Sequence, residues 1–158
     1  MIELKEMPPE RFPAYRDRLV LEYARDKVRA GAWSPEEAPR RSAADVGGLL
    51  PDGTETEGHY LLLLWDDLAG QEVGVVWIAI LDSGVGRSAW IYDIEVYEGF
   101  RRKGYATQAL RAVEDRATKL GGDRVGLQVF GHNPGARALY EKVGYEITSV
   151  NMVKRLGR

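Results

Sequence analysis

The stretch from Asp93 to Leu110 limits what this chain can become more than any other. An apolar run over residues 90–96 reads as a strand, and it leads into a short basic loop carrying Gly99 and Gly104. A helix follows whose apolar residues Ala109, Leu110, Val113, Ala117 and Leu120 keep helical spacing. A strand, a tight loop and a helix start in that order make an anion cradle. The first backbone N–H groups of a helix lack partners inside it, and its dipole favours negative charge there. Gly104 carries no Cβ and lets the backbone approach a ligand closely. Arg101, Arg102 and Lys103 add positive charge at the same place.

The spacing Arg101-x-x-Gly104-x-Ala106 resembles the Gln/Arg-x-x-Gly-x-Gly/Ala signature of the GNAT superfamily of acyl-CoA-dependent N-acetyltransferases. Downstream, the stretch from Leu127 to Tyr145 resembles that family's strand followed by Asn-x-x-Ala-x-x-Leu-Tyr-x-x-x-Gly-Tyr/Phe, here Asn133, Ala136, Leu139, Tyr140, Gly144 and Tyr145. The resemblance is firm over about residues 73–147. It implies one α/β domain over residues 1–158, a mixed and mostly antiparallel sheet with helices on both faces. One departure stands out: Glu98 occupies a position where the family commonly has proline.

Composition fits that reading. The chain has 158 residues, enough for one domain with a proper core. Its formal net charge of −2 argues against general nucleic-acid binding, although a local basic loop can still hold phosphate. The absence of cysteine excludes disulfides, thiolate nucleophiles and Cys-based metal sites, and two histidines are too few for a His-rich metal site. No apolar run reaches membrane-spanning length and no signal-peptide pattern opens the sequence, so the expected location is the cytoplasm.

In chain order, residues 2–7 read as a strand, and Pro8-Pro9 opens a helix running to about Ala30. Ser34-Pro35-Glu36-Glu37 is a capping box that starts a second helix, with Pro39 early inside it. Residues 51–58 form a loop. Apolar runs over 60–65, 73–81 and 89–96, joined by short turns, read as an antiparallel meander. The helix over 105–120 leads to a strand over 125–130, which should lie parallel to the strand at 90–96. Asn133-Pro134 opens a last helix that Gly144 stops. Residues 145–149 and 150–156 read as a closing strand pair. The expected order is β-α-α-β-β-β-α-β-α-β-β. Gly84-x-Gly86-x-x-Ala89 resembles a dinucleotide fingerprint, but it lies between two strands with no helix behind it.

Acetyl transfer to an amine needs a thioester pocket, a base, an oxyanion donor and an acid for the departing thiolate. By resemblance, backbone groups of Ile94, Glu95 and Val96 would line the pantetheine arm, with the Val96 amide as oxyanion donor. The amides from Arg101 through Arg102, Lys103, Gly104, Tyr105 and Ala106 to Thr107 would hold the pyrophosphate, helped by the side chains of Arg101 and Arg102. Asn133 and Ala136 would contact the cofactor arm, although Asn before Pro is also a preferred helix cap. Tyr140 matches the family tyrosine that protonates the thiolate, although it also lies on the apolar face of its helix with Ala136, Leu139 and Val143.

The base is open. Some family members use a glutamate at the position held here by Gln128. Glu95 is the first choice, with Asp93, two residues away on the same face of a regular strand, and Glu22 behind it. The resemblance implies an enzyme: an N-acetyltransferase moving an acetyl group from its co-substrate acetyl-CoA to a primary amine by direct transfer in a ternary complex. The alternative is a non-catalytic acyl-CoA-binding or sensor module on the same fold. The acceptor would be a small-molecule amine or a peptide N-terminus. No metal, nucleic acid or membrane partner is expected, and the chain would be a monomer or homodimer.

Overall fold

Three apolar runs build the middle of the molecule. In the computed structural model, which describes residues 1–157, they are β2 (His59–Asp66), β3 (Gln71–Ser83) and β4 (Gly86–Val96). Short turns make them antiparallel neighbours, and β1 (Ile2–Glu6) pairs antiparallel with β2. Helix α1 (Phe12–Arg29) follows a 3-10 turn at Pro9–Arg11, and α2 is Ala38–Leu49. After β4 come α3 (Tyr105–Lys119), β5 (Arg124–Leu127) and α4 (Pro134–Lys142). The sheet order is β1-β2-β3-β4-β5, and β5 is parallel to β4.

Alternation along the strands divides the core between two faces. Leu62, Leu64, Val76 and Ile78 pack with Ala109, Leu110 and Val113 of α3. Leu61, Leu63, Val75 and Trp77 pack with Tyr15 and Leu19 of α1 and with Val46 of α2. Val113 is fully buried, so Val113→Ala would lose its transfer energy and leave a cavity. Gly74 is required by close approach: a Cβ there would sit 2.1 Å from the Glu95 carbonyl oxygen. Without a side chain at Gly74, the C-terminal half of β4 can lie close against β3.

Three expectations from sequence need correction. The capping box forms, since the Glu37 amide donates to Ser34 Oγ at 3.3 Å, but regular helix begins only at Ala38. The Ala38 amide makes the first i→i−4 bond, to the Ser34 carbonyl at 3.1 Å, but Pro39 has no N–H for the next one, to Pro35, and this delays the regular helix. Strand β5 ends at Leu127 rather than at Phe130, so Gln128 to Phe130 leave the sheet. The closing strand pair is not formed. Residues 146–157 are exposed and carry no regular structure, and the observed order stops at α4. Between Gly144 and Gly157 the sequence has no glycine or proline, so it lacks the residues that tight hairpin turns need.

A candidate acyl-transfer site in the gap between β4 and β5

Strands β4 and β5 stay paired for only four residues, Ser88–Ile91 against Arg124–Leu127. Beyond that point they separate. A β-bulge lies at the same place: Asp93 faces Trp77, Ile91 faces Ile78, and Tyr92 has no partner. The extra residue turns both Tyr92 and Asp93 towards α1, while Ile91 and Ile94 keep to the α3 face. The Tyr97 amide donates to the Val73 carbonyl at 2.9 Å. Hydrogen bonds alternate sides along an antiparallel strand, so the peptide groups of Val96 and Ile94 point away from β3 and into the gap. The gap therefore has a wall of backbone donors and acceptors. It opens at the carboxyl ends of two parallel strands, where ligands bind in open α/β sheets.

Helix α3 begins at one end of this wall. Gly104 has φ +80° and Arg102 has φ 64°, two left-handed residues in one loop. Left-handed backbone is rare for a residue with a Cβ, so Arg102 is held there against its preference. The first intrahelical bond is from the Gln108 amide to the Gly104 carbonyl at 3.2 Å. The amides of Tyr105, Ala106 and Thr107 are left as open donors, since no side chain caps this helix and its first turn has no acidic residue. Arg101, Arg102, Lys103 and Gly104 are all exposed. The donor set suits a pyrophosphate: free amides, a helix dipole and three cationic side chains.

Two side chains here are less free than the sequence suggests. Arg101 Nε donates to the Val96 carbonyl at 2.9 Å, which leaves only its Nη groups for a ligand. The Tyr105 hydroxyl is bonded to the buried Asp66, so Tyr105 anchors the helix start and offers the cradle only its amide.

The α1 side of the gap holds the acidic groups. Tyr15 Oη donates to Asp93 Oδ2 at 2.7 Å. Burial pushes the Asp93 carboxyl above the ordinary aspartate range; the Tyr15 bond opposes that rise, and the charge of Glu95 adds to it. Glu95 sits 3.7 Å from Arg18 Nη1, so a cation compensates its charge. Glu22 is also pushed up, by burial first and then by Glu95 and Asp93. Next to this group, Met7, Arg11, Tyr15, Arg18, Val75 and Tyr97 line a pocket of about 110 Å³. Its rim is fixed by Arg11, which grips Glu72 with both Nη atoms at 2.9 and 2.8 Å, and by the Tyr97 hydroxyl on the same carboxylate. Tyr15, Arg18, Arg11 and Tyr97 are absent from the sequence-based site. The one available signal is the helical spacing of Arg11, in the turn before α1, with Tyr15, Arg18 and Glu22 on α1.

Helix α4 begins across the gap. Asn133 Oδ1 accepts from the Ala136 amide at 3.3 Å, and Pro134 occupies the first position, so this start is capped by its own chain. Tyr140, on the inner face of α4, packs into the α3-side core and sits 5.9 Å from the Tyr145 ring. Its hydroxyl has no hydrogen-bond partner among the described residues. Burial, with a further contribution from the Asp93 charge, raises it above the ordinary phenol range, so it stays protonated at neutral pH. Gln128 is exposed beyond the end of β5. His132 Nε2 lies 3.0 Å from Asp26 Oδ1 and its ring stacks on Phe130, tying the loop before α4 to α1. Among the described residues no cluster of His, Asp and Glu could hold a metal ion, and no helix is long and apolar enough to cross a membrane.

Known proteins share this fold. The acetyltransferase (GNAT) family model matches residues 11–145. The chain is 40% identical to the uncharacterized N-acetyltransferase YycN of Bacillus subtilis (strain 168), over 98% of this chain and 99% of that protein. It is 35% identical to the uncharacterized N-acetyltransferase YdgE of the same organism, over 97% of each. The crystal structure of YycN superposes with a TM-score of 0.93 across all of both chains. AAC(6')-Iy, solved in complex with the bisubstrate analog CoA-S-monomethyl-acetylneamine, shares the fold at a TM-score of 0.61 and 18% identity, over 98% of this chain and 97% of that one. The chain therefore belongs to the GNAT family of acetyltransferases.

Proposed function

We propose that the protein transfers an acetyl group from acetyl-CoA directly to a primary amine while both are bound in the gap between β4 and β5. The observation that carries this reading is the gap where β4 and β5 part beside the uncapped start of α3, with a desolvated carboxyl, Asp93, on the α1 side of the sheet, an unpartnered phenol, Tyr140, on the α3 side, and the Val96 amide between them facing the gap. The open amides of Tyr105, Ala106 and Thr107, with Arg102 and Lys103, hold the pyrophosphate. Acetyl-CoA supplies the thioester. The Val96 amide stabilises the charge that develops on the acetyl oxygen. Asp93, steadied by Tyr15, takes the proton from the incoming ammonium, because its raised pKa brings it nearer neutral pH than an exposed carboxylate. Tyr140 gives a proton to the departing thiolate. Glu95 is left to attract and orient the amine, together with Glu22, since Arg18 already compensates its charge.

The acceptor reaches the gap from the α1 side, past the pocket lined by Tyr15, Arg18 and Tyr97. Its acidic surroundings favour a cationic amine. The bisubstrate analog held by AAC(6')-Iy supports a geometry in which both partners occupy one site. The test is CoA release measured across polyamines, aminoglycosides, amino acids and peptide N-termini. Turnover with at least one amine class, following intersecting initial-rate kinetics, is the expected result. Acetyl-CoA binding without turnover on any class rejects the reading in favour of a binding module.

A further inference from the structure

Two arginines line the pocket on the α1 side, and they are held in different ways. Arg11 spends both Nη groups on Glu72, at 2.9 and 2.8 Å. Arg18 makes only longer ion pairs, with Glu95 at 3.7 Å and with Glu22 at 4.0 Å. Neither is a hydrogen bond, and among the described residues the Arg18 guanidinium donates none. Its Cζ sits 5.6 Å from the centre of the Tyr15 ring and 6.0 Å from that of Tyr97. Two aromatic rings thus hold the guanidinium in place while its N–H groups stay unspent.

Compensating the charge of Glu95 accounts for a cation here, but not for donors left open. A guanidinium that serves only a carboxylate closes to hydrogen-bond distance, as Arg11 does on Glu72 in the same pocket. A cationic acceptor has no need of Arg18 either. Asp93, Glu95 and Glu22 already attract an ammonium, and a guanidinium among them repels it. The group that fits open arginine donors is a carboxylate, which a guanidinium binds through two parallel N–H bonds. The pocket also carries the buried apolar side chains of Met7 and Val75.

We propose that the acceptor is a free α-amino acid with a short apolar side chain, and that Arg18 selects it by binding its carboxylate; this rests on the acetyl transfer proposed above. The carboxylate takes the place of Glu95 on the Arg18 guanidinium. The ammonium takes the released Glu95, with Asp93 beyond it as base. The side chain lies against Met7 and Val75 in the pocket of about 110 Å³. A zwitterion inserted into a loose ion pair keeps every charge paired. Opening the pair costs little, because it is partly exposed and has no hydrogen bond. Acetylation then removes the ammonium charge. The N-acetyl amino acid keeps only the Arg18 contact, Glu95 competes for that contact, and release is favoured.

The test is CoA release with valine, leucine and methionine against their amides, which keep the amine and side chain and lose the carboxylate. A polyamine and an aminoglycoside are run beside them. For at least one amino acid, kcat/KM should exceed that of its amide by about 10- to 100-fold, the loss expected when charge-assisted hydrogen bonds are removed. Arg18→Ala should bring the ratio of acid to amide close to one, and Arg18→Lys should restore part of it. A merely structural role for Arg18 would lower both rates together and leave the ratio as it was. The comparison of acid with amide in the unaltered chain stands even where a variant fails to fold. Amides turned over as well as the acids, or a ratio that Arg18→Ala leaves intact, overturns the proposal. Turnover of the polyamine or the aminoglycoside alone also overturns it, and leaves the transferase reading standing. No turnover with any of these amines overturns both.

Discussion

Helices α3 and α4 both begin at the gap between β4 and β5, and they begin in opposite ways. The α4 start is closed: Asn133 accepts from the Ala136 amide and Pro134 removes a donor that would otherwise be unpaired. The α3 start is open: Gly104 caps nothing, and three amides point out beside Arg102 and Lys103. An open start stores unmet hydrogen-bonding capacity, which an anion from outside the chain satisfies. A closed start fixes a helix rigidly enough to aim a side chain, here the Tyr140 hydroxyl. On the proposed function, one helix would hold a ligand by its backbone and the other would offer it a proton.

The sharpest way to test this division is Tyr140→Phe. The ring and its packing stay, and only the hydroxyl is lost. Steady-state kinetics should show kcat reduced by on the order of 10² to 10⁴, the usual contribution of a positioned acid, with acetyl-CoA affinity and melting temperature nearly unchanged. Near-normal turnover would mean that α4 contributes structure and no chemistry.

Asp93 lies on the α1 side of β4 and has its own signature. Its folded pKa is raised by burial, so the stability tied to it is fully present below the unfolded value of about 4 and is lost as pH rises through the folded value. Asp93→Asn removes that loss. The variant should gain in melting temperature relative to the parent between pH 5 and pH 8, while kcat/KM at neutral pH falls by about 10² and its rise with pH disappears. A parallel shift of both melting curves, with the pH–rate profile intact, would take Asp93 out of the reaction.

Gly104→Ala attacks the open start. A Cβ there meets no protein atom within 4 Å, so the substitution has nothing to clash with except a ligand. It should weaken CoA binding by about 10- to 100-fold in calorimetry, the loss expected for disturbed charge-assisted hydrogen bonds, and cost about 1–2 kcal/mol of stability for a left-handed alanine. Equal affinities would dismiss the cradle. Asn133→Ala attacks the closed start, and its effect should be the smallest. Thermal or urea unfolding should show a loss of about 1 kcal/mol, with CoA affinity changed by less than about threefold. A larger loss of affinity than of stability would show that the Asn133 side chain serves the ligand as well as the helix.

Local codes made much of this readable before any coordinates. The apolar runs of β2, β3 and β4, the helical spacing of Ala109, Leu110, Val113 and Ala117, and the Asn133-Pro134 start all act over a few residues, and each appears where its pattern places it. The bulge was readable only in part. Ala89 and Ile91 face α3, and so do Ile94 and Val96, so the apolar parity changes between residues 91 and 94. That change is visible in the sequence, but it does not say which strand the extra residue leans on.

The sequence by itself determined the element order through α4, the basic glycine-bearing loop before α3 and the absence of thiol chemistry, because propensity, periodicity and composition belong to the chain alone. Tertiary structure decided the rest. The bond from Tyr15 to Asp93 joins residues 78 positions apart, and it separates Asp93 from Glu95 by environment rather than by residue type. The early end of β5 opens the gap, and the same sheet leaves residues 146–157 without a partner strand. Burial, register and strand pairing depend on which distant segments come together, and no short pattern in the chain encodes that.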